Sequence, residues 1–380
     1  MNNTLIKWPG GKMNEYQHIR NIIPEYKRYI EPFFGGGGIF FKEEPEIASI
    51  NDYNSLLMNF YKLVKRQDED FEYYLKLMAK NWDSSNKFLK GELKIKLIKC
   101  FYDYRNSNIS KNKLESLVKN YFEKHKNEFN GIFTNEFAID REAMFKQILE
   151  RIIAKIKRMK KIEKKKEQKL PVDDIKKNIE TGFKSGFYTH FRNILNDCNL
   201  DKINISKEKH IAIFYFIREF CYGSMFRYNS SGEFNIPYGG MSYNDKNFQD
   251  KVDFIFKNRI KKLFKNVKIY DLDFEKFLID KIKLTNDDFI FFDPPYDTEF
   301  STYGGNPFDK SDHERLADII ENLKAKCILI IKGTDFIKKL YSNRCLKITS
   351  FEKLYSYNVR GRNNRDTEHL IVTNNISKTP

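Results

Sequence analysis

The stretch DDFIFFDPPY, residues 287–296, combines the pattern of a buried strand with that of a rigid loop. Its centre, residues 289–292, is a short apolar run preceded by charge, which is typical of a strand buried on both faces. Two successive prolines fix φ and lack a backbone N–H, so the strand must end at Asp293 and continue as an extended segment. The loop therefore presents the Asp293 carboxylate, the Pro294 carbonyl and the Tyr296 ring together.

These three groups suit the exocyclic amine of a nucleobase, which is a poor nucleophile. Asp293 and the Pro294 carbonyl would accept the two amine hydrogens and orient the nitrogen lone pair for in-line attack. Tyr296 would stack on the base, a contact of roughly 1–3 kcal/mol. The same residues also suit a plain strand-ending turn, because Asp before Pro commonly begins one.

The composition predicts a reduced, non-membrane protein. The 380 residues are 41% hydrophobic, enough for two domains. The chain contains no apolar run of about 18 residues and no apolar signal region, so we expect neither a membrane span nor export, and a cytoplasmic location. Five scattered cysteines and six unclustered histidines indicate neither a disulfide framework nor a metal site.

The net charge of +16 indicates a polyanionic partner, because lysines and arginines near phosphates release condensed counterions. Lys-rich and Asn-rich composition can also reflect an AT-rich genome. The segment KIKRMKKIEKKKEQK, residues 155–169, is the most basic part of the chain. Its pattern predicts a helix with a solvated face or a linker, with phosphate contact as the alternative.

Glycines follow the first predicted strand in an arrangement typical of nucleotide sites. Residues 29–34 predict that strand, residues 35–38 are four glycines, and an apolar helix-like segment starts at Ile39. A strand, a glycine turn and a helix N-terminus form a cradle for pyrophosphate, or for the carboxylate of an amino-acid-bearing cofactor. Asp52 follows the next strand and is placed to accept hydrogen bonds from ribose hydroxyls. The alternative role for Asp52 is a helix N-cap.

Residues 222–243 differ from the Lys-rich helical segments before them, being aromatic and rich in Gly and Asn. Turn signals at 229–232 and 237–240 flank a short predicted strand at 233–236. Such a hairpin presents Arg227 and Asn229 for reading or opening a duplex, unless it only packs structurally.

Further strands at 267–270, 289–292 and 327–331 alternate with helical segments such as 312–324. This alternation predicts an α/β fold: a Rossmann-like, doubly wound, mostly parallel sheet with ligands at the carboxyl ends of its strands. We expect residues 1–58 and 244–380 to form the catalytic domain. Residues 59–243 would form an inserted, mainly helical and hairpin-containing target-recognition region.

The ordered motifs closely resemble those of the Dam-like (D12) class of DNA adenine-N6 methyltransferases. They are KWPGGK at 7–12, EPFFGGGG at 31–38, the aspartate of INDYN at 52, FRYNSSGEFNIPYG at 226–239, DF at 273–274 and DPPY at 293–296. DPPY is shared with protein-glutamine and ribosomal-RNA N-methyltransferases, whereas KWPGGK and the hairpin motif sharpen the assignment to DNA adenine. The segment 81–198 is longer than a minimal member needs, which leaves the location of sequence recognition open.

The resemblance implies that S-adenosylmethionine binds and donates a methyl group to N6 of an adenine flipped out of double-stranded DNA. It implies cofactor contacts for these residues: Trp8, Lys12, Glu31, Pro32, Phe33, Gly35, Asp52, Asp273, Phe274 and Asp293. It places the target base at Asp293, Pro294 and Tyr296, and DNA contacts at Arg227 and Asn229. No metal is expected, and a cognate restriction endonuclease is a possible partner.

Other functions remain open at this point. Cytosine N4 or an RNA adenine presents the same amine chemistry. A nucleotide-binding oxidoreductase would use the glycine loop but leaves the DPPY stretch without a role. A non-catalytic DNA-binding module would have no need of so complete a set of pocket residues.

Overall fold

The computed structural model describes residues 4–297, 308–354 and 366–374. The chain forms two compact units, Met1–Gln67 with Lys257–Pro380, and Asp68–Phe256. The two units divide after residues 67 and 256, whereas the predicted domains divide after residues 58 and 243. Residues 55–66 form a helix that packs beside a strand of the sheet, and residues 248–255 form one that packs within the second unit.

The first unit contains a seven-stranded sheet. Its strands are β1 (Arg28–Glu31), β2 (Ala48–Asn51), β3 (Val267–Tyr270), β4 (Asp288–Phe292), β5 (Lys326–Lys332), β6 (Lys347–Leu354) and β7 (Asp366–Thr373). The spatial order is β3-β2-β1-β4-β5-β7-β6. The first five strands pair in parallel, and β7 runs antiparallel to both β5 and β6. The predicted α/β fold with a mostly parallel sheet is confirmed.

Sixteen α-helices are present within the described residues. They are α1 (Tyr16–Ile19), α2 (Phe40–Glu43), α3 (Ser55–Arg66), α4 (Glu69–Phe88), α5 (Glu92–Arg105), α6 (Lys111–Lys124), α7 (Lys126–Ile132), α8 (Asn135–Ala138), α9 (Arg141–Lys166), α10 (Val172–Asn199), α11 (Lys207–Phe220), α12 (Phe248–Ile255), α13 (Asn258–Leu263), α14 (Phe274–Lys276), α15 (Lys310–Glu321) and α16 (Asp335–Ser342). Short 3₁₀ turns lie at Tyr222–Ser224 and Met241–Tyr243, and a π-helical turn at Phe277–Lys281 follows α14. None of the helices in these residues is long and apolar enough to cross a membrane.

The sheet core explains why the short strands form. All five residues of β4 are buried, as are all four of β2. A fully parallel central strand is covered on both faces, so a continuous apolar run is stable there. β1 pairs with β2 on one side and β4 on the other, which brings the glycine loop after β1 and the prolines after β4 to one edge.

The helix expected from Ile39 is present as the single turn α2. It ends where Glu44 adopts a left-handed conformation (φ 49°) before Pro45. The strand expected at 233–236 is wrong: it is reduced to one isolated bridge, between Phe234 and Tyr228, and a second bridge joins Cys221 to Tyr238 beyond it.

The second unit is a helical bundle with one unusually close helix pair. A Cβ built at Gly186 of α10 would lie 2.4 Å from the Ile148 Cα of α9, and one at Gly182 would lie 3.1 Å from the Ile152 Cα. Glycine at these positions lets the two backbones approach directly. Polar N-caps begin several helices, including Asp140 for α9, whose side chain accepts from the Ala143 amide.

Candidate active site

The site lies where the strand order reverses. β1 and β4 are neighbours, and their connections leave toward opposite halves of the sheet. Ligands of open α/β sheets bind in the crevice at the carboxyl ends of such a pair. Glu31 ends β1 there, and Asp293 directly follows β4.

Asp293 forms an ion pair with Lys12 of the N-terminal loop. The Lys12 side chain is 2% exposed and that of Asp293 is 18% exposed. Lys12 Nζ also donates to the Gly10 carbonyl at 3.2 Å. A buried ammonium requires such partners, so the pair fixes the N-terminal loop against the end of β4.

Tyr296 lies beside this ion pair. Lys12 Nζ lies 4.8 Å from the centre of the Tyr296 ring, within cation–π range. The buried His369 ring of β7 contacts Tyr296 edge-on, with 5.5 Å between ring centres and 89° between planes. An antiparallel strand far along the chain therefore holds the ring that follows the two prolines.

The glycine loop packs against Trp8. Gly35 has φ of +48°, and a Cβ there would lie 2.8 Å from the Trp8 Cδ1 atom. A Cβ at Gly38 would lie 2.9 Å from the Met13 amide nitrogen. Only glycine fits at these two positions of the loop, because the N-terminal segment lies directly against the loop backbone.

Asp52 accepts backbone hydrogen bonds at both carboxylate oxygens. Gly35 N donates to Oδ2 at 2.8 Å and Asn54 N to Oδ1 at 2.9 Å. Burial raises the pKa of Asp52 to about 6, although these two bonds oppose the rise. The N-cap of α3 is Asn54, so Asp52 is not the cap. Each oxygen of a carboxylate has a second lone pair, which can accept from a ligand.

Glu31 is buried at 2% exposure and accepts from the Tyr29 hydroxyl at 2.8 Å. Burial raises the pKa of Glu31 well above its usual range, and the negative charges of Asp293 and Asp52 add to this effect. Pro32 is buried after it. A cluster of carboxyl groups at one edge favours a ligand that brings hydrogen-bond donors or positive charge.

Asp273 and Phe274 form the far side of the edge, after β3. Asp273 caps α14, and Arg315 Nη2 of α15 lies 3.3 Å from its Oδ2. The Arg315 guanidinium also lies 4.8 Å from the centre of the Phe274 ring. Three aromatic rings meet here, with centres 5.3 Å apart for Phe33 and Phe274 and 5.6 Å apart for Phe33 and Phe308.

Several residues of this edge were not among the sequence-predicted ones. Asn51 is 1% exposed; its Nδ2 donates to the Pro32 carbonyl at 3.0 Å and the Leu272 carbonyl at 2.9 Å. It thereby joins the segments that carry Glu31, Asp52 and Asp273. Arg315 and His369 are similarly distant in sequence from the groups they contact. In the sequence, the only sign of a role for Asn51 is its position directly before Asp52.

The predicted DNA-contacting residues belong to the second unit. Arg227 is exposed, and its Nε donates to Asn235 Oδ1 at 3.0 Å. The Asn229 side chain closes a turn, accepting from the Ser231 and Glu233 amides at 3.0 and 2.9 Å. Arg227 therefore presents its side chain to solvent, whereas Asn229 shapes the turn.

The strand order, the antiparallel β7 and a polar site at the β1–β4 switch define a Rossmann-like methyltransferase fold. A family model of the D12 class N6 adenine-specific DNA methyltransferases matches residues 8–179 and 160–357. The chain belongs to this family, and it is an adenine-specific DNA methyltransferase. Methylation of cytosine N4 or of RNA is not favoured.

Relatives of full length support this assignment. The type II methyltransferase M.MjaIII of Methanocaldococcus jannaschii is 26% identical over 97% of this chain and 98% of its own length. The DNA adenine methylase of Vibrio cholerae is 21% identical over 98% of this chain and 96% of its own length. The type II methyltransferase M.CviBI of a Paramecium bursaria Chlorella virus is 36% identical, but over only 42% of this chain and 59% of its own length.

Proposed function

We propose that the carboxyl edge of the sheet binds S-adenosylmethionine between the glycine loop and α14. Asp52 would accept from the ribose hydroxyls. The cofactor adenine would lie against Phe33 and Phe274, with its amine directed at Asp273. Trp8 would cover the methionine end together with Lys12, while Glu31, Pro32 and Gly35 shape the loop beneath it.

The residues present fit this cofactor. Asp52 lies next to the Gly35 amide, so an acceptor for ribose and a close-approach glycine are adjacent. The rings of Phe33, Phe274 and Phe308 provide an apolar surface for a purine. The clustered carboxyl groups suit a ligand that carries a sulfonium cation and an ammonium group.

The reaction is assigned to the loop after β4. Bound S-adenosylmethionine supplies an electrophilic methyl group on its sulfonium. Asp293 and the Pro294 carbonyl would each accept one hydrogen of the adenine N6 amine, and Tyr296 would stack on the base. With both hydrogens held by Asp293 and the Pro294 carbonyl, the nitrogen lone pair would be directed at that methyl group, and the proton that the methylated amine loses would pass to solvent.

The observation that carries this proposal is the ion pair of Lys12 with Asp293 beside Tyr296. It holds the carboxylate at the sheet edge rather than beneath the sheet. An incoming adenine amine must share this carboxylate with the Lys12 ammonium or displace it, so Lys12 would orient Asp293 before the base arrives.

The substrate is duplex DNA from which the adenine is flipped, at an unpairing and unstacking cost of a few kcal/mol. Arg227 would contact DNA from the hairpin, and Asn229 would maintain the turn that presents it. A cognate restriction endonuclease and a cytoplasmic location remain predictions from the sequence.

Two measurements test these assignments. Thermal unfolding should shift upward with S-adenosylmethionine and not with NAD, because ligand binding stabilises the folded state. Nucleosides from DNA methylated by the protein should contain N6-methyladenine, detected by mass spectrometry, and long-read sequencing should give its sequence context. No response to S-adenosylmethionine, or N4-methylcytosine as the product, would contradict the proposal.

A further inference from the structure

A line of exposed cations runs along the outer face of α9 in the helical unit. Arg151, Arg158 and Lys165 repeat at intervals of seven residues, nearly two helical turns, so they align on one side of the helix. Lys161 lies beside this line. All four side chains are exposed. We call these four residues the α9 ridge.

The opposite face of α9 is apolar and buried. Ile148, Ile152 and Ile156 are 0% exposed, and the helix packs against α10. Glu163, an acidic residue close to the ridge, is also buried, where it lies 3.6 Å from Arg105. The ridge is therefore one side of a rigid element rather than a flexible basic linker.

Cations on the flanks of α9 have partners within the protein. Lys157 forms an ion pair with Glu115, and Lys160 Nζ donates to the Tyr104 carbonyl at 2.6 Å. The ridge residues, by contrast, form no ion pair with any residue in the described ranges. Exposed like charges that are aligned and uncompensated repel one another, and a polyanion would relieve that repulsion.

The ridge is joined to the hairpin through α10. Tyr188, Arg192 and Asn196 lie four residues apart on α10 and contact the hairpin backbone: Tyr188 and Arg192 donate to the Ile236 carbonyl at 2.9 and 3.4 Å, and Asn196 Oδ1 accepts from the Phe234 amide at 2.8 Å. Burial lowers the pKa of Arg192, and the positive charge of nearby Arg151 lowers it further. The end of the ridge at Arg151 is therefore close to Arg192 of α10, the helix that contacts the hairpin backbone.

We propose that the α9 ridge contacts the phosphate backbone of double-stranded DNA that flanks the methylated adenine, as an extension of the hairpin surface. The 14 steps along the helix from Arg151 to Lys165 span about 21 Å at 1.5 Å per residue. That length corresponds to about six base pairs at 3.4 Å each. Phosphate contacts carry no base information, so the ridge adds affinity and not sequence preference. The inference rests on the family's DNA substrate and not on the assigned roles of Asp293 or Asp52.

The test is a triple variant, Arg151→Gln, Arg158→Gln and Lys165→Gln, in the full chain. Binding to a long duplex is measured across a range of salt concentrations. Each lost phosphate contact should reduce the slope of log Kd against log[salt] by about 0.9, so a reduction of about two to three is expected. The variant should bind weakly at low salt, yet reach the parent's methylation rate when DNA is saturating.

A matched control removes three exposed lysines from α4 and its end: Lys80→Gln, Lys87→Gln and Lys90→Gln. It changes net charge equally, so it measures the general effect of charge on DNA attraction. The ridge variant should lose more than the control on a long duplex and match it on a duplex limited to the target site. A ridge variant that has the same salt slope as the control, or the same deficit at both duplex lengths, overturns the proposal. A parent protein that binds DNA but transfers no methyl group would instead contradict the proposed function.

Discussion

Charged side chains at the sheet edge form ion pairs with one another, whereas those of the α9 ridge form none with the described residues. At the edge, Lys12 pairs with Asp293, and Arg315 with Asp273. On the ridge, Arg151, Arg158 and Lys165 face solvent, and no described residue forms an ion pair with them.

For Lys12 the difference follows from burial. A charge taken out of water costs several kcal/mol unless it is paired and hydrogen-bonded, so the buried Lys12 ammonium and Asp293 hold each other in a defined geometry. An exposed cation has no such requirement and can remain available to a partner. The paired charges at the sheet edge thus suit the proposed reaction site, and the unpaired cations of the ridge suit the proposed contact with DNA phosphates.

The largest expected effect is loss of methylation in Asp293→Asn. The amide would direct hydrogens toward the adenine amine in place of an acceptor, and removal of a single stabilising group of this kind costs about 10²–10³ in rate. Single-turnover methyl transfer to DNA is the measurement, with S-adenosylmethionine binding retained. Asp287→Asn, at the exposed start of the same segment, should leave the rate unchanged. Near-parental activity of Asp293→Asn would rule out the assigned chemistry.

The next largest effect should be a loss of stability of the helical unit, which depends on close packing between helices and not on motif residues. Gly186→Ala places a methyl group 2.4 Å from the Ile148 Cα, and overpacking of this kind costs about 1–3 kcal/mol. The control Gly131→Ala meets no atom within 4 Å and should gain about 0.5–1 kcal/mol. Denaturant unfolding of the full chain compares them. Equal stability of the two variants would mean that α9 and α10 do not approach this closely.

Cofactor binding should depend on pH through Asp52. Its pKa is raised to about 6, so the carboxylate that we propose as the ribose acceptor forms only as pH rises through that value. Affinity for S-adenosylmethionine, measured by calorimetry, should increase from pH 5 to pH 7, with proton release near pH 6. Asp52→Asn should bind more weakly at pH 7 and show a flat profile. A parental profile that is flat or inverted would contradict the ribose role.

The same shift predicts an opposite trend in the stability of the ligand-free protein. A folded-state pKa above the ordinary 3.8 means that the folded state binds more protons between pH 3.8 and about 6. The contribution of Asp52 to stability therefore falls as pH rises through this window, and Asp52→Asn removes that fall.

The smallest effect should come from Arg315, which we place as a positioning residue for Asp273 and Phe274. Arg315→Gln loses the contacts to both, so the KM for S-adenosylmethionine should rise severalfold with kcat nearly unchanged. Arg344→Gln is the matched control, because Arg344 pairs with Asp318 and Glu321 of the same helix α15. A change in kcat alone, or an equal KM effect in the control, would argue against positioning.

The strands and the edge motifs were predictable because their signals are local. A short apolar run followed by two prolines specifies β4 and the position of Asp293, and β3 was predicted to the residue. The helical segment from Ile39 was predicted, but not its short length, because a left-handed residue before Pro45 ends it after one turn. The strand predicted in the hairpin does not form, because α10 side chains satisfy backbone groups that a partner strand would otherwise bind.

Residue order alone identified the family, the mostly parallel sheet and the strand ends that carry Asp52, Asp273 and Asp293, since these depend on neighbours along the chain. Folding decided which distant groups meet: Lys12 with Asp293, Arg315 with Phe274, His369 with Tyr296. It also decided which lysines and arginines of α9 find partners and which face water. Pairing of this kind depends on three-dimensional packing, and spacing along one chain does not encode it.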